Sequence, residues 1–183
     1  AKNGEPGVFV TIDEKPENII IDMQGLGWDI TPFLKNGSLK ILDITDYFAT
    51  PNRVGAGTLN IEEIINGIIQ FVKQNKASRL AIDPIAPLIF KDIDLPEISE
   101  YIRRLIFALE NQELQCTTLL TSYVPVGSSK ISQHGIEEFA ASGIIVLRLT
   151  KNNNKFIRTI WVRKMRGTRV DLFKNKINSM FAN

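Results

Sequence analysis

Gly7-Val8-Phe9-Val10-Thr11-Ile12-Asp13-Glu14 is an apolar run that stops at two adjacent carboxylates, and Arg79-Leu80-Ala81-Ile82-Asp83 repeats the plan with a single one. Short runs without polar alternation read as strands buried on both faces, the mark of a parallel sheet. Leu39 to Asp43 and Thr117 to Thr121 have the same character. Ligands of an open parallel sheet bind beyond the carboxyl ends of its strands. Asp13, Glu14 and Asp83 are therefore expected at the edge where function resides.

Helical patterns lie between these runs. Pro16, with Glu17 beside it, opens a segment through Ile19, Ile20 and Met23 that Gly25 and Gly27 close. Asn60 is placed to cap a helix with Glu62 and Glu63 in its first turn and a stripe of Ile61, Ile64, Ile65, Ile68, Ile69 and Val72. Asp94-Leu95-Pro96-Glu97 begins another, in which Ile98, Ile102, Leu105, Ile106 and Leu109 repeat while Arg103 and Arg104 turn outward. Strand and helix alternate, so the class is α/β. After Ser142 the pattern becomes a hairpin, with arms Gly143 to Leu149 and Phe156 to Val162 around the polar turn Lys151 to Lys155.

The 183 residues fit one domain, with no Pro/Ser/Gly-rich linker to divide them. No apolar stretch approaches the roughly 20 residues that span a bilayer, so no membrane segment is expected. The single Cys116 excludes a disulfide framework within the chain and favours a reducing, cytoplasmic setting; it reads as a small buried core residue. Net charge is +2, but residues 147–183 hold ten Lys/Arg against Asp171 alone, leaving the remainder at −7. A basic tail of that kind meets something anionic: nucleic acid, a nucleotide's phosphates or the acidic face of a neighbouring subunit.

Each candidate for chemistry has a bland reading beside it. Asp83 has the Walker B form, in which a carboxylate serves Mg²⁺, but Pro84 behind it also fits a plain turn. Asp13 and Glu14 can activate a water or favour the start of the next helix. Thr121 and Ser122 can place hydroxyls near a γ-phosphate or end a strand. Lys164 and Arg166 alternate onto one side ahead of Gly167 and Thr168, either as a phosphate-binding tip or as the cations of a solvated edge strand. His134, the only histidine, has no Cys/His cluster near it in sequence, and no G-x-S-x-G occurs.

Taken in order, these segments resemble the KaiC-like branch of the RecA superfamily of ATPases along nearly the whole chain. The run Gly4 to Glu17, followed by Gly27-Trp28-Asp29, resembles the strand ending in paired acids and the Pro-initiated helix behind it. Arg79 to Asp83 is similar to the Walker B strand and Thr117 to Ser122 to the sensor strand. Gly135 to Leu147 is similar to the helix-to-strand segment before the hairpin, and Lys164-Met165-Arg166-Gly167-Thr168 to the terminal signature. The resemblance implies a RecA-like P-loop NTPase core, mostly parallel, flanked by helices and closed by a C-terminal β-hairpin.

It also implies an ATPase activity with ATP and Mg²⁺ as ligands, used to drive conformational change or assembly. Asp13 and Glu14 would activate water and Asp83 would serve the metal. Lys164, Met165, Arg166 and Thr168, with Thr121 and Ser122, would contact the nucleotide, Arg166 acting as an arginine finger toward the ATP of a neighbouring protomer. The implied partner is another copy of the chain in a homo-oligomeric ring, hexameric in one reading; nucleic acid is a partner that the basic tail allows without favouring.

The family's phosphate loop, G-x-x-x-x-G-K-[ST], does not occur; Val54-Gly55-Ala56-Gly57-Thr58 has no Lys and stands in the wrong place. The expectation is a single domain, residues 1–183, lacking the first strand and Walker A at its N-terminal side, as part of a longer polypeptide. The alternatives are a complete relative acting as a non-hydrolysing RecA-fold interaction module, and a DNA-binding RecA-like paralogue. Asp13 where the family has Glu, and Pro84 where it has Ser, point toward weaker hydrolysis.

Overall fold

The computed structural model of the chain describes residues 1, 3–46, 60–86, 95–110, 114–124, 130–152, 155–170 and 175–177. The opening run forms β1 (Gly7–Thr11), and α1 (Pro16–Gly25) follows, with Pro16 in its first turn and Gly27 at φ +78° just beyond its end. Pro lacks only a donor that this turn cannot use, and Gly tolerates the left-handed conformation at a helix exit. A short α2 (Thr31–Lys35) leads into β2 (Leu39–Asp43). The next helix, α3 (Ile61–Gln74), starts where Asn60 accepts a hydrogen bond from the Glu63 N–H at 3.1 Å, satisfying one of its orphan donors. Then come β3 (Arg79–Asp83), α4 (Leu95–Leu109) and β4 (Thr117–Leu120). Val54 to Thr58 and Asp94 lie outside the described residues.

The four strands form one parallel sheet in the order β2-β1-β3-β4. Register brings Thr11 level with both Asp43 and Asp83, so the strands end together at one edge. The chain leaves β1 toward β2 on one side, then returns past it to β3 and onward to β4. Because crossovers are right-handed, this reversal makes the β1–β3 gap the topological switch point of the sheet. It lies between Asp13-Glu14 and Asp83.

The core lies on one face of the sheet. Val8, Val10, Ile12, Leu80 and Ile82 meet Ile64, Ile65, Ile68 and Val72 of α3 and Ile98, Tyr101, Ile102, Leu105, Ile106 and Leu109 of α4. Both stripes follow the spacing of their sequences, to which the structure adds Tyr101. The expectation that the strands are buried on both faces does not hold: β3 alternates exposed and buried residues, and Leu119 of β4 is 57% exposed. The two long amphipathic helices close one face, whereas the other is covered only in part. Cys116, read as a core residue, is half-buried at the entrance to β4, packed against the core's rim, and burial pushes its thiol up.

A five-residue α5 (Ile136–Ala140) precedes β5 (Gly143–Asn152), β6 (Lys155–Met165) and β7 (Asn175–Ile177), an antiparallel sheet in that order. The hairpin's ladder extends to Asn152↔Lys155, so Lys151, Asn152 and Lys155 are strand residues rather than turn. Backbone pairing needs no apolar side chain, which is why polarity alone misplaced this boundary. Nor is β6 an edge strand: β7 pairs with it over Arg158–Ile160, although Lys164 and Met165 lie beyond that pairing.

Candidate functional site

Thr11, 1% exposed at the end of β1, organises the first pair of acids. Its hydroxyl donates to the Glu14 carbonyl and accepts from the Glu14 N–H at 3.3 Å, closing a tight turn that turns Asp13 and Glu14 into solvent. The cap of α1 is Lys15, which makes no side-chain capping bond, so neither acid stands at the position a capping role requires. Lys15 instead reaches Asp43 at 3.1 Å, Thr45 at 2.6 Å and Asp46 at 3.2 Å, tying the end of β2 to the same edge. Burial opposes the charge on Asp43, but bonds from Thr45 and Lys15 outweigh it and hold the carboxyl below its usual range.

Asp83 ends β3 in solvent and accepts a hydrogen bond from the Thr121 hydroxyl of the neighbouring strand end. Its carbonyl takes the Ile12 N–H at 3.3 Å, and the Thr121 carbonyl takes the Ile85 N–H at 2.8 Å. These bonds knit the β1, β3 and β4 ends around the switch point. Tyr123, two residues beyond Thr121 and 41% exposed, has its phenol pushed above the ordinary range, first by partial burial and then by the charges of Asp13, Asp83 and Glu14. Nothing in the sequence distinguishes Tyr123, since the acids whose charges act on it come from segments far along the chain.

Thr121 and Ser122 divide. Whereas Thr121 serves Asp83, Ser122 turns its hydroxyl to Glu137 of α5 at 2.9 Å. At the other end of α5, Lys164 Nζ donates to the Glu138 and Phe139 carbonyls at 3.0 and 3.3 Å, and Arg166 Nη2 donates to Phe139 at 3.3 Å. Both cations therefore point the same way, as their alternation predicts, and among the described residues neither forms an ion pair. The tip is shaped by Gly167 at φ +72° and by Gly143, where an added Cβ would meet the Met165 sulfur at 2.8 Å. Thr168 closes the turn, its N–H reaching the Met165 carbonyl at 3.3 Å. The structure thus brings Asp13, Glu14, Asp83 and Thr121 together and gathers Lys164, Met165, Arg166 and Thr168 into a second cluster.

Among the described residues no group of three or more His, Cys, Asp or Glu side chains forms a metal-holding cage, His134 included. Asp83 with Thr121 offers one hard-oxygen carboxylate beside a hydroxyl. That donor set fits a cation such as Mg²⁺, which keeps most of its waters and binds through one or two carboxylates plus phosphate oxygens. No helix among the described residues is long and apolar enough to cross a membrane.

Comparison with known proteins extends this geometry. Residues 1–178 match the family model described as ATPase: KaiC. The circadian clock oscillator protein KaiC of Prochlorococcus marinus is 34% identical over 169 residues, covering 90% of this chain and 32% of that protein. The KaiC of Thermostichus vulcanus is 31% identical over 169 residues. The chain thus spans about a third of the length of these curated relatives. Among solved structures, a KaiC-like protein from the hyperthermophilic archaeon Pyrococcus horikoshii superposes with a TM-score of 0.78 at 35% identity, covering 96% of this chain and 73% of the other. The α/β order, with its mostly parallel sheet and C-terminal hairpin, is that of a KaiC-like RecA fold. With the matched family model spanning nearly all of its residues, the chain belongs to the KaiC family of ATPases.

Proposed function

We propose that the β1–β3 switch point is the catalytic half of a Mg-ATP hydrolysis site shared between neighbouring copies of this chain. The observation that carries the reading is the gathering of Asp13, Glu14 and Asp83 at one edge of the sheet, where Asp83 stands level with Thr11 and is bonded by Thr121, apart from a basic tip whose cations form no ion pair among the described residues. Asp13 and Glu14 project from the Thr11 turn as general bases able to orient an attacking water and take its proton. Asp83, held by Thr121, would bind Mg²⁺, which would neutralise phosphate charge when bound. Lys164, Met165, Arg166 and Thr168 would contact the nucleotide of an adjacent protomer, Arg166 clamping phosphate oxygens as charge develops.

The uneven charge supports that assembly. A +9 tail on one copy meets a −7 body on the next, a heterologous contact able to close into a ring. The reading also requires a phosphate loop, which these residues do not contain. We place it in additional polypeptide, in keeping with the quarter of the Pyrococcus protein that this chain does not cover.

In the loop-bearing protein, Arg166→Ala should lower turnover by about 10³-fold or more, the worth of an arginine finger, with little change in thermal midpoint. Unchanged turnover would remove the tip from catalysis. The absent loop also favours a second reading, a non-hydrolysing interaction module of the same fold. Saturable Mg-ATP binding in calorimetry excludes it.

A further inference from the structure

We infer that Glu137 is the positioning residue of the basic tip, joining the end of β4 to the short helix whose carbonyl groups hold Lys164 and Arg166. Its consequence for catalysis rests on the function proposed above; the positioning itself does not.

Among the described residues Glu137 is the one buried acid, 7% exposed. A carboxylate taken out of water is retained only where bonds offset the loss of hydration. Here Oε1 accepts from the Ser122 hydroxyl at 2.9 Å and from the His134 N–H at 3.3 Å, while Oε2 has no partner among the described residues. The side chain lines a cavity of about 120 Å³ together with Ser122, Ser132 and Glu138. Its two bonds join the end of a core strand, the loop before α5 and α5 itself.

That junction matters because α5, which rests on the core through Ile136 and Ala140, has few polar bonds to fix its orientation. It is only five residues long, starts at Gly135 with no side-chain cap, and is far shorter than a helix that persists alone in water. Glu137 fixes its first turn, and Ser132 adds a bond to the Glu138 carboxylate at 3.1 Å. The carbonyls of Glu138 and Phe139 at the far end are the acceptors that hold Lys164 and Arg166. Ser122 is also bonded along the chain to Thr121, the residue that holds Asp83. One buried side chain therefore sets where the tip cations stand relative to the carboxylate edge of the same protomer, as outer-shell partners orient the groups that meet a ligand.

The test is nitrogen-edited NMR of the arginine guanidinium signals in this chain, comparing wild type with Glu137→Ala, Ser122→Ala and Glu137→Gln. Glu137→Ala and Ser122→Ala should shift the Arg166 signal and speed its exchange with water by about threefold or more. Arg103, bonded to Glu100 on α4 at 2.9 Å, should stay unmoved. Glu137→Gln keeps an oxygen able to accept both bonds and should restore the wild-type signal. An unmoved Arg166 in Glu137→Ala, or in Ser122→Ala where the first variant fails to fold, overturns the inference. So does a Glu137→Gln signal displaced as far as that of the alanine variant. Should Arg166 respond as expected while Arg166→Ala leaves ATP turnover of the loop-bearing protein intact, the positioning stands and the proposed function falls.

Discussion

Thr11 shows how much a single buried hydroxyl does for the candidate site. Its two bonds to the Glu14 backbone set the turn that presents Asp13 and Glu14, and the register of β1 with β3 places Asp83 beside them. Tyr123 reports the resulting field, since burial and three carboxylate charges all oppose its ionisation. An ultraviolet titration of this phenol should therefore give a pKa above the usual value of about 10. Asp83→Asn should lower it, because one opposing charge is removed; an unmoved titration would mean that the Asp83 charge does not act on the ring. The acids themselves were legible in the sequence because each closes an apolar run. Tyr123 and Glu137 were not, since what distinguishes them is contact with residues far along the chain.

The elements that local chemistry dictates are the ones the sequence revealed best. Asn60 and the isoleucine stripe specify α3 with cap and face together, and Asn60→Ala should cost about 1 kcal/mol in chemical denaturation. An undiminished stability would show the cap to be redundant. On α4, Arg103 and then Arg104 bond Glu100 and hold its carboxyl down at about 2. A folded-state value below the unfolded one of roughly 4.3 contributes stability that is present above that pH and is lost as pH falls toward the folded value. The urea midpoint should thus drop between about pH 4.5 and 2, and Glu100→Gln should flatten that drop; an identical profile in the variant would remove Glu100 from acid unfolding. Where boundaries depended on backbone pairing, as at Lys151 to Lys155, residue polarity misled.

Over the whole molecule, strand order turns a list of motifs into a site. The alternation of strands and helices gave the α/β class, but only the β2-β1-β3-β4 order shows that the two acid-tipped strands are neighbours flanking a switch point. It also leaves the acidic edge and the basic tip as two clusters of one chain, joined through Ser122, Glu137 and α5. A site divided in that way predicts complementation. Glu14→Gln and Arg166→Ala versions of the loop-bearing protein should each be nearly inactive, since each spoils one half of every interface. Mixed in equal amounts, they form some interfaces that pair an intact acid edge with an intact Arg166. The account predicts recovery of about a quarter of wild-type ATP turnover on random mixing; a mixture no more active than its components would contradict a site shared between protomers.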